Sequence, residues 1–296
     1  MGKTAVALDL ANHLNAEVVS ADARQVYRGL NIGTAKPTLA ERARVTHHLI
    51  DLVDPPERYS AARFLADAEA ALRGIMEKGR RAMVVGGTGL YFKALREGLF
   101  EAPETAPEVR ERVDRLVEAG GREALAAYLE RHDPGTLAQL DPANTARLRR
   151  AVEFHLMTDE SLAARRLTTP GRKSPFRYFP VVLVRPREEL YARIERRVED
   201  MLQAGWVDEV RGLSESWDFS QPAFEAVGYR DLYDVVRERV SMTNAAQRII
   251  TKTRQYAKRQ LTWFSHQGDW LWVSPENDVT LKIASGLLSF AENKSA

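Results

Sequence analysis

The chain has no cysteine, which removes disulfides, Cys-ligated zinc and thiol nucleophiles and fits a reducing cytosol. No apolar run approaches the ~20 residues needed to cross a bilayer, and no charged-then-apolar leader opens the sequence. Excess charge is missing too. With 43 Lys and Arg against 41 Asp and Glu, the formal net charge is +2, so the distribution of cations matters more than their sum. The adjacent His47 and His48 lack the helical spacing of metal ligands, and the five tryptophans read as packing. Also missing is the first half of a phosphate-binding loop. Such a loop runs strand, G-x-x-x-x-G-K-[ST], helix. Here only Gly2-Lys3-Thr4 stands before an Ala/Leu-rich helical stretch at 5–14.

What is present is ordinary in bulk and specific in detail. A chain of 296 residues, 44% hydrophobic and 28% charged, can bury one large core or two smaller ones. Short β-rich apolar runs at 17–21, 48–53, 82–85, 180–184 and 270–273 alternate with helical patterns at 5–14, 61–78, 89–96 and 188–204. That alternation predicts a parallel, doubly wound α/β sheet flanked by helices. The last of these helices carries its apolar stripe at Leu190, Ile194, Val198 and Leu202, with Arg193, Arg196 and Arg197 falling elsewhere. Between 101 and 172 the pattern becomes helical only (107–118, 122–131 and 144–157 running on to 166), bounded by Pro103/Pro107 and Pro170/Pro175. The expected organisation is therefore an α/β core over 1–100 and 173–296, interrupted by an all-helical insertion over 101–172.

Three segments carry candidate chemistry. The first apolar run ends in Asp22, and ligands of α/β sheets sit outside the carboxyl ends of strands. A carboxylate there can act as a general base or organise Mg²⁺; a plain turn aspartate is the alternative. Gly86-Gly87-Thr88 repeats the strand–turn–helix form, with Thr88 offering a hydroxyl or a cap. Near the C-terminus, a helix over 244–264 carries Arg248, Lys252, Arg254, Lys258 and Arg259 with no intervening Asp or Glu, a composition suited to a phosphate backbone.

Taken in order, these segments resemble the tRNA dimethylallyltransferase family. The matching stretches are Gly2-Lys3-Thr4, 20–37, His47-His48-Leu49-Ile50-Asp51 with Tyr59-Ser60, Gly86-Gly87-Thr88 through Phe92, Arg147 to Glu153, Val227-Gly228-Tyr229-Arg230, and Arg254 to Trp263. The resemblance implies a P-loop NTPase-like parallel sheet with a helical insertion. The implied reaction moves a dimethylallyl group from dimethylallyl diphosphate to N6 of the adenine next to the anticodon. Carried over by position, Gly2, Lys3 and Thr4 are expected to hold the diphosphate, and Thr4 the Mg²⁺. Asp22, Thr88 and Arg230 form the expected catalytic set, with Asp22 accepting from the adenine amine and Arg230 meeting the departing diphosphate. Contacts to the tRNA anticodon stem-loop are expected from Asp22, Ala23, Arg24, Gln25, Thr88, Arg110, Ala146, Arg147, Leu148, Arg149 and Arg150. Further contacts are expected from Glu225, Ala226, Val227, Gly228, Tyr229, Arg230, Lys258 and Arg259. The protein is expected to be a cytoplasmic monomer with no membrane association.

Two departures from the family pattern shape the expectations. The strand and half-loop before Gly2 are absent, which predicts weak diphosphate binding and reduced stability. Ala23 stands where the family commonly has Ser. The competing readings are a P-loop kinase acting on a small metabolite and a catalytically impaired tRNA-binding remnant.

Overall fold

The computed structural model describes residues 2–100, 103–169, 171–172, 174–275 and 279–292. Residues 101, 170 and 173, which mark the sequence-based boundaries, lie outside the described residues. In chain order the elements are α1 (Lys3–Leu14), β1 (Ala16–Ala21), α2 (Leu39–Arg44), β2 (His47–His48), α3 (Ala61–Glu77), β3 (Arg81–Gly86) and α4 (Gly89–Glu97). The helical stretch holds α5 (Pro107–His132), α6 (Pro134–Leu137), α7 (Thr145–Thr158) and α8 (Leu162–Thr168). Then come β4 (Val181–Leu183), α9 (Arg187–Gln203), α10 (Trp206–Ser216), α11 (Tyr229–Val236), α12 (Met242–Ser265), β5 (Leu271–Val273) and α13 (Val279–Glu292). The chain divides into two compact units: Met1–Arg96 with Pro175–Ala296, and Glu97–Ser174.

In the first unit β1 lies between β2 and β3, both parallel to it. All six residues of β1 are buried, as expected for a strand covered on both faces. Val18, with Met83 and Val85, packs towards α1; Val19 and Ala21, with Ala82 and Val84, pack towards α3 and α4. Burial brings Glu17 inside as well, and its carboxylate is met by His48 at 2.6 Å and Arg80 at 2.8 Å. Those hydrogen bonds, Arg80 first and His48 second, hold its pKa below the usual glutamate range. α3 starts at Ser60, whose hydroxyl accepts from the Arg63 N–H, and buries Phe64, Ala68, Leu72 and Ile75 along one face. β4 and β5 form a second parallel pair. A further core joins Trp206, Phe224, Tyr229 and Leu232 to Val26, Leu30 and Val53.

The strand expected over 48–53 is confined to His47–His48. Leu49 and Asp51 adopt positive φ, and Asp51 is held out of line by Lys36 at 2.6 Å and Arg42 at 2.8 Å. Charge pairing there overrides the apolar pattern.

The second unit is all-helical among its described residues, around Val113, Leu125, Leu129, Leu148, Val152 and Phe154. α5 is kinked, with non-helical backbone at Gly120 and Gly121. The helix expected to run on to 166 stops instead at Asp159, whose φ of 56° ends α7. Ser161 then caps α8, accepting from the Ala164 N–H.

Candidate active site

The carboxyl end of β1 gathers the site. Asp22 directly follows the strand, and its Oδ1 accepts from the Arg24 N–H at 2.9 Å and the Gln25 N–H at 3.4 Å. The turn reading of Asp22 is therefore correct for one oxygen. Among the described residues no hydrogen bond reaches Oδ2, which leaves that oxygen open to a ligand. Thr88 closes the neighbouring strand end: its N–H donates to the Ala21 carbonyl at 3.2 Å, and its Oγ1 accepts from the Ala23 N–H at 3.1 Å.

Two cations share this field. Lys3 opens α1, where helix dipole and unpaired N–H groups favour an anion. Burial lowers the Lys3 pKa, the charge of Asp22 raises it, and Arg197 lowers it further. Arg197 itself is lowered by burial and raised by Asp22. Its side chain is nevertheless open to solvent by surface area. Arg185 stands nearby, its Nη2 being 3.7 Å from where a Cβ on Gly2 would lie. Thr4 is exposed in the first turn of α1.

α12 forms another wall. Gln260 Nε2 donates to the Gly87 carbonyl at 2.8 Å. A Cβ on Gly87 would sit 2.1 Å from that nitrogen, and one on Gly89 would sit 2.4 Å from the Trp263 ring. Glycine is needed at both positions for the helix to approach this closely. Tyr256 belongs to the same wall: burial raises its pKa, and so does the charge of Asp22. Arg197, Tyr256 and Gln260 were missed by the sequence reading, because on a helix each falls on the polar side of an ordinary amphipathic pattern.

Several expected tRNA contacts are already engaged. Gln25 donates to the Thr34 and Ala35 carbonyls, each at 3.1 Å, and accepts from Ser20, which ties down the 31–36 loop. Arg24 donates to the Pro222 carbonyl at 2.6 Å and pairs with Glu225 at 3.2 Å, so two of the expected contact segments do meet. Ala226, Gly228 and Tyr229 are buried, Val227 is half-buried, and the Tyr229 hydroxyl donates to Glu209 at 2.7 Å. The turn before α11 aims this run into the core, leaving Glu225 and Arg230 outside. Arg230 donates to the Phe219 and Ser220 carbonyls, both at 3.1 Å. Those bonds tether the loop before α11 and leave the arginine exposed. On α12, Lys252 pairs with buried Asp231, and Arg254 pairs with Glu195. Lys258 and Arg259 are exposed.

Within the helical unit, Leu148 is fully buried. Arg149 pairs with Asp114 and Glu153, and Arg110 with Glu104. Arg150 donates to Thr105 at 2.7 Å. Ala146 and Arg147 are exposed. Arg166, another residue missed in the sequence, has its pKa lowered by burial and then by Arg147 and Arg150. Like charges held together this way suit a polyanion.

The family model for IPP transferase matches residues 25–267. A tRNA dimethylallyltransferase of Halorhodospira halophila is 41% identical over 289 residues, covering 96% of this chain and 93% of that protein. Another, from Azoarcus sp., is 44% identical over 266 residues, covering 88% and 83%. The crystal structure of the full-length tRNA isopentenylpyrophosphate transferase of Bacillus halodurans superimposes with a TM-score of 0.73 at 34% identity, covering 99% and 94%. A eukaryotic dimethylallyltransferase acting on tRNA shares the fold, with a TM-score of 0.83 at 24% identity, covering 99% and 77%. A family match over most of the sequence, with relatives this similar over nearly their whole length, establishes that this chain belongs to the IPP transferase family of tRNA dimethylallyltransferases.

Proposed function

We propose that this chain transfers a dimethylallyl group from dimethylallyl diphosphate to N6 of the adenine 3′-adjacent to the anticodon of a tRNA. The products are N6-dimethylallyladenosine and diphosphate. The observation that carries the reading is the Asp22 carboxylate at the end of β1, one oxygen holding the turn and the other free of hydrogen bonds among the described residues, in the electrostatic field of Lys3 and Arg197. The reaction needs that pairing. An aromatic amine is a poor nucleophile, so the allylic C–O bond must weaken as charge builds on the departing diphosphate. Lys3, Arg197 and the N–H groups that open α1 stabilise that charge. The open oxygen of Asp22 accepts a proton from the amine as the new C–N bond forms, a contribution of about 10²–10⁴-fold. Thr88 fixes the turn beside Asp22, and the adenine leaves its stack to enter, as base-modifying chemistry requires.

Among the described residues no cluster of three or more His, Cys, Asp or Glu could hold a metal ion. That fits Mg²⁺, which keeps several waters and binds through substrate phosphates with few protein ligands. Thr4, exposed beside Lys3, would supply the hydroxyl, and the ion would neutralise charge on the leaving diphosphate. For RNA we assign Lys258 and Arg259 on α12, together with the arginine group at 147, 150 and 166, to the phosphate backbone. Among the described residues no helix is long and apolar enough to cross a membrane. Because the proposed substrate is tRNA, we propose a cytoplasmic enzyme, acting as a monomer.

The test sets two assays side by side on purified protein with unmodified tRNA. Dimethylallyl transfer without nucleotide hydrolysis is the expected result. ATP hydrolysis with phosphoryl transfer to a small molecule, and no modified adenine, would return the kinase reading.

A further inference from the structure

Glu209, half-buried on α10, receives four hydrogen bonds, all from uncharged donors. Its Oε2 accepts from the Asn31 N–H at 3.0 Å and the Ile32 N–H at 2.8 Å. Its Oε1 accepts from the Tyr229 hydroxyl at 2.7 Å and, more weakly, from the Gly33 N–H at 3.5 Å. Three successive N–H groups that converge in this way form a concave nest for an anion, and here a side chain of the same molecule fills it. Drawing a carboxylate out of water has a cost that an apolar anchor would not carry. What the charge adds is direction: three N–H vectors fix how the loop backbone is turned as well as where it lies.

The loop so held leads to the turn that carries Asp22. Just past the nest, the Thr34 and Ala35 carbonyls accept from Gln25 Nε2, each at 3.1 Å. Gln25 Oε1 accepts from the Ser20 hydroxyl of β1 at 3.1 Å. The Gln25 amide is thus fully engaged, with two donors on the loop and its oxygen on the strand. The Gln25 N–H, beside that of Arg24, donates to Asp22 Oδ1. A chain of hydrogen bonds therefore runs from α10 through residues 31–35 and Gln25 to the oxygen that fixes where the other oxygen of Asp22 points.

We propose that Glu209 is a positioning residue for Asp22, acting through the 31–35 loop and Gln25 without touching a substrate. The inference rests on the transferase reading, because the group that it aims is the proton acceptor of that reaction. Misplacing a reacting group by about 1 Å can cost about 100-fold in rate, so a carboxylate remote from the chemistry can still govern turnover.

The test is Glu209→Gln, made in the parent chain and in an Asp22→Asn chain. The new side chain has the same size. Whichever way its amide turns, an NH₂ group faces at least one backbone N–H, and the nest loses an acceptor. In the parent, kcat should fall about 10–100-fold, with the tRNA Kd and the KM for dimethylallyl diphosphate within about twofold. In Asp22→Asn the same exchange should cost less than about twofold in the single-turnover rate, since no carboxylate remains to be misplaced. Equal losses in the two backgrounds would make Glu209 a folding residue and overturn the proposal, as would an unchanged kcat in the parent. Hydrogen exchange supplies a readout independent of transfer. In Glu209→Gln the amides of Arg24 and Gln25 should exchange about tenfold faster along with those of 31–33, while those of α3 keep their rates. If Arg24 and Gln25 stay protected, the loop does not hold the turn and the proposal fails, whatever the chain's activity. Should Glu209→Gln not fold, Ser20→Ala frees Gln25 from its strand side with the nest intact. The same dependence on Asp22 and the same faster exchange at Arg24 and Gln25 are then expected, and their absence has the same force. Loss of transfer in the parent itself would count against the reaction and leave the exchange result to decide this inference.

Discussion

Lys3 is held as a cation against opposition. Burial disfavours its charge and Arg197 repels it, with Asp22 offsetting part of both. In the proposed reaction the bound diphosphate would offset the repulsion between the two cations and part of the burial cost. The sign follows from the direction of the shift. With the Lys3 pKa below the ordinary lysine value of about 10.4, diphosphate affinity should fall as pH rises through that lowered value, as measured by titration calorimetry. Removing the second cation, Arg197→Gln, should raise the KM for dimethylallyl diphosphate by about 10–100-fold, the loss of a charge-assisted contact, with tRNA affinity little changed. Equal losses for both substrates would make Arg197 a folding residue. Glu17 offers a separate test, of stability. Its folded pKa lies below the ordinary value of about 4.3 because Arg80 and His48 bond its carboxylate. Its stabilisation is therefore fully present above that ordinary value and is lost as pH falls through the folded one. Glu17→Gln should lower Tm at pH 7, and the gap to the parent should close in acid. Of these residues, Lys3 and Asp22 were legible in the sequence, because a Gly-Lys-Thr helix start and a strand-terminal aspartate carry meaning by position. Arg197 was not: its sequence signal is identical to that of a solvated arginine, and only packing distinguishes the two.

At the scale of elements, α12 sorts its cations by partner. Lys252 and Arg254 are committed to Asp231 and Glu195 and fasten the helix to α11 and α9. Exchanging Lys258 and Arg259 together for Ala should weaken tRNA binding and flatten the slope of log K against log salt by roughly 1–2, as expected for two lost phosphate contacts. Lys252→Ala should instead destabilise the fold by about 1–3 kcal/mol, leaving Asp231 buried without its partner. An unchanged salt slope in the double variant would make the exposed face of α12 incidental to RNA. The elements themselves were largely readable. β1, β3, α3, α9 and α12 fall within a few residues of their apolar patterns, since burial on one face or both dictates periodicity. The misses are local. The 48–53 run yields to the Asp51 ion pairs, and the helix after 157 yields to the left-handed Asp159. Pairing across the chain and single-residue backbone choices leave no periodic trace.

For the whole molecule, the decisive feature is that residues far apart in the chain assemble one site. Lys3, Asp22, Thr88, Arg197 and Gln260 come from α1, the end of β1, the turn after β3, α9 and α12. The order of the segments was enough to suggest the family, whereas the burial of Ala226, Gly228 and Tyr229 leaves no trace in that order. What the assembly is for comes down to the carboxylate. The most direct measurement is the turnover of Asp22→Asn beside its tRNA Kd, with dimethylallyl diphosphate saturating. A fall in kcat of about 100-fold or more with nearly unchanged tRNA affinity is the predicted result. Near-normal turnover would contradict the central claim and leave Asp22 as nothing more than a turn.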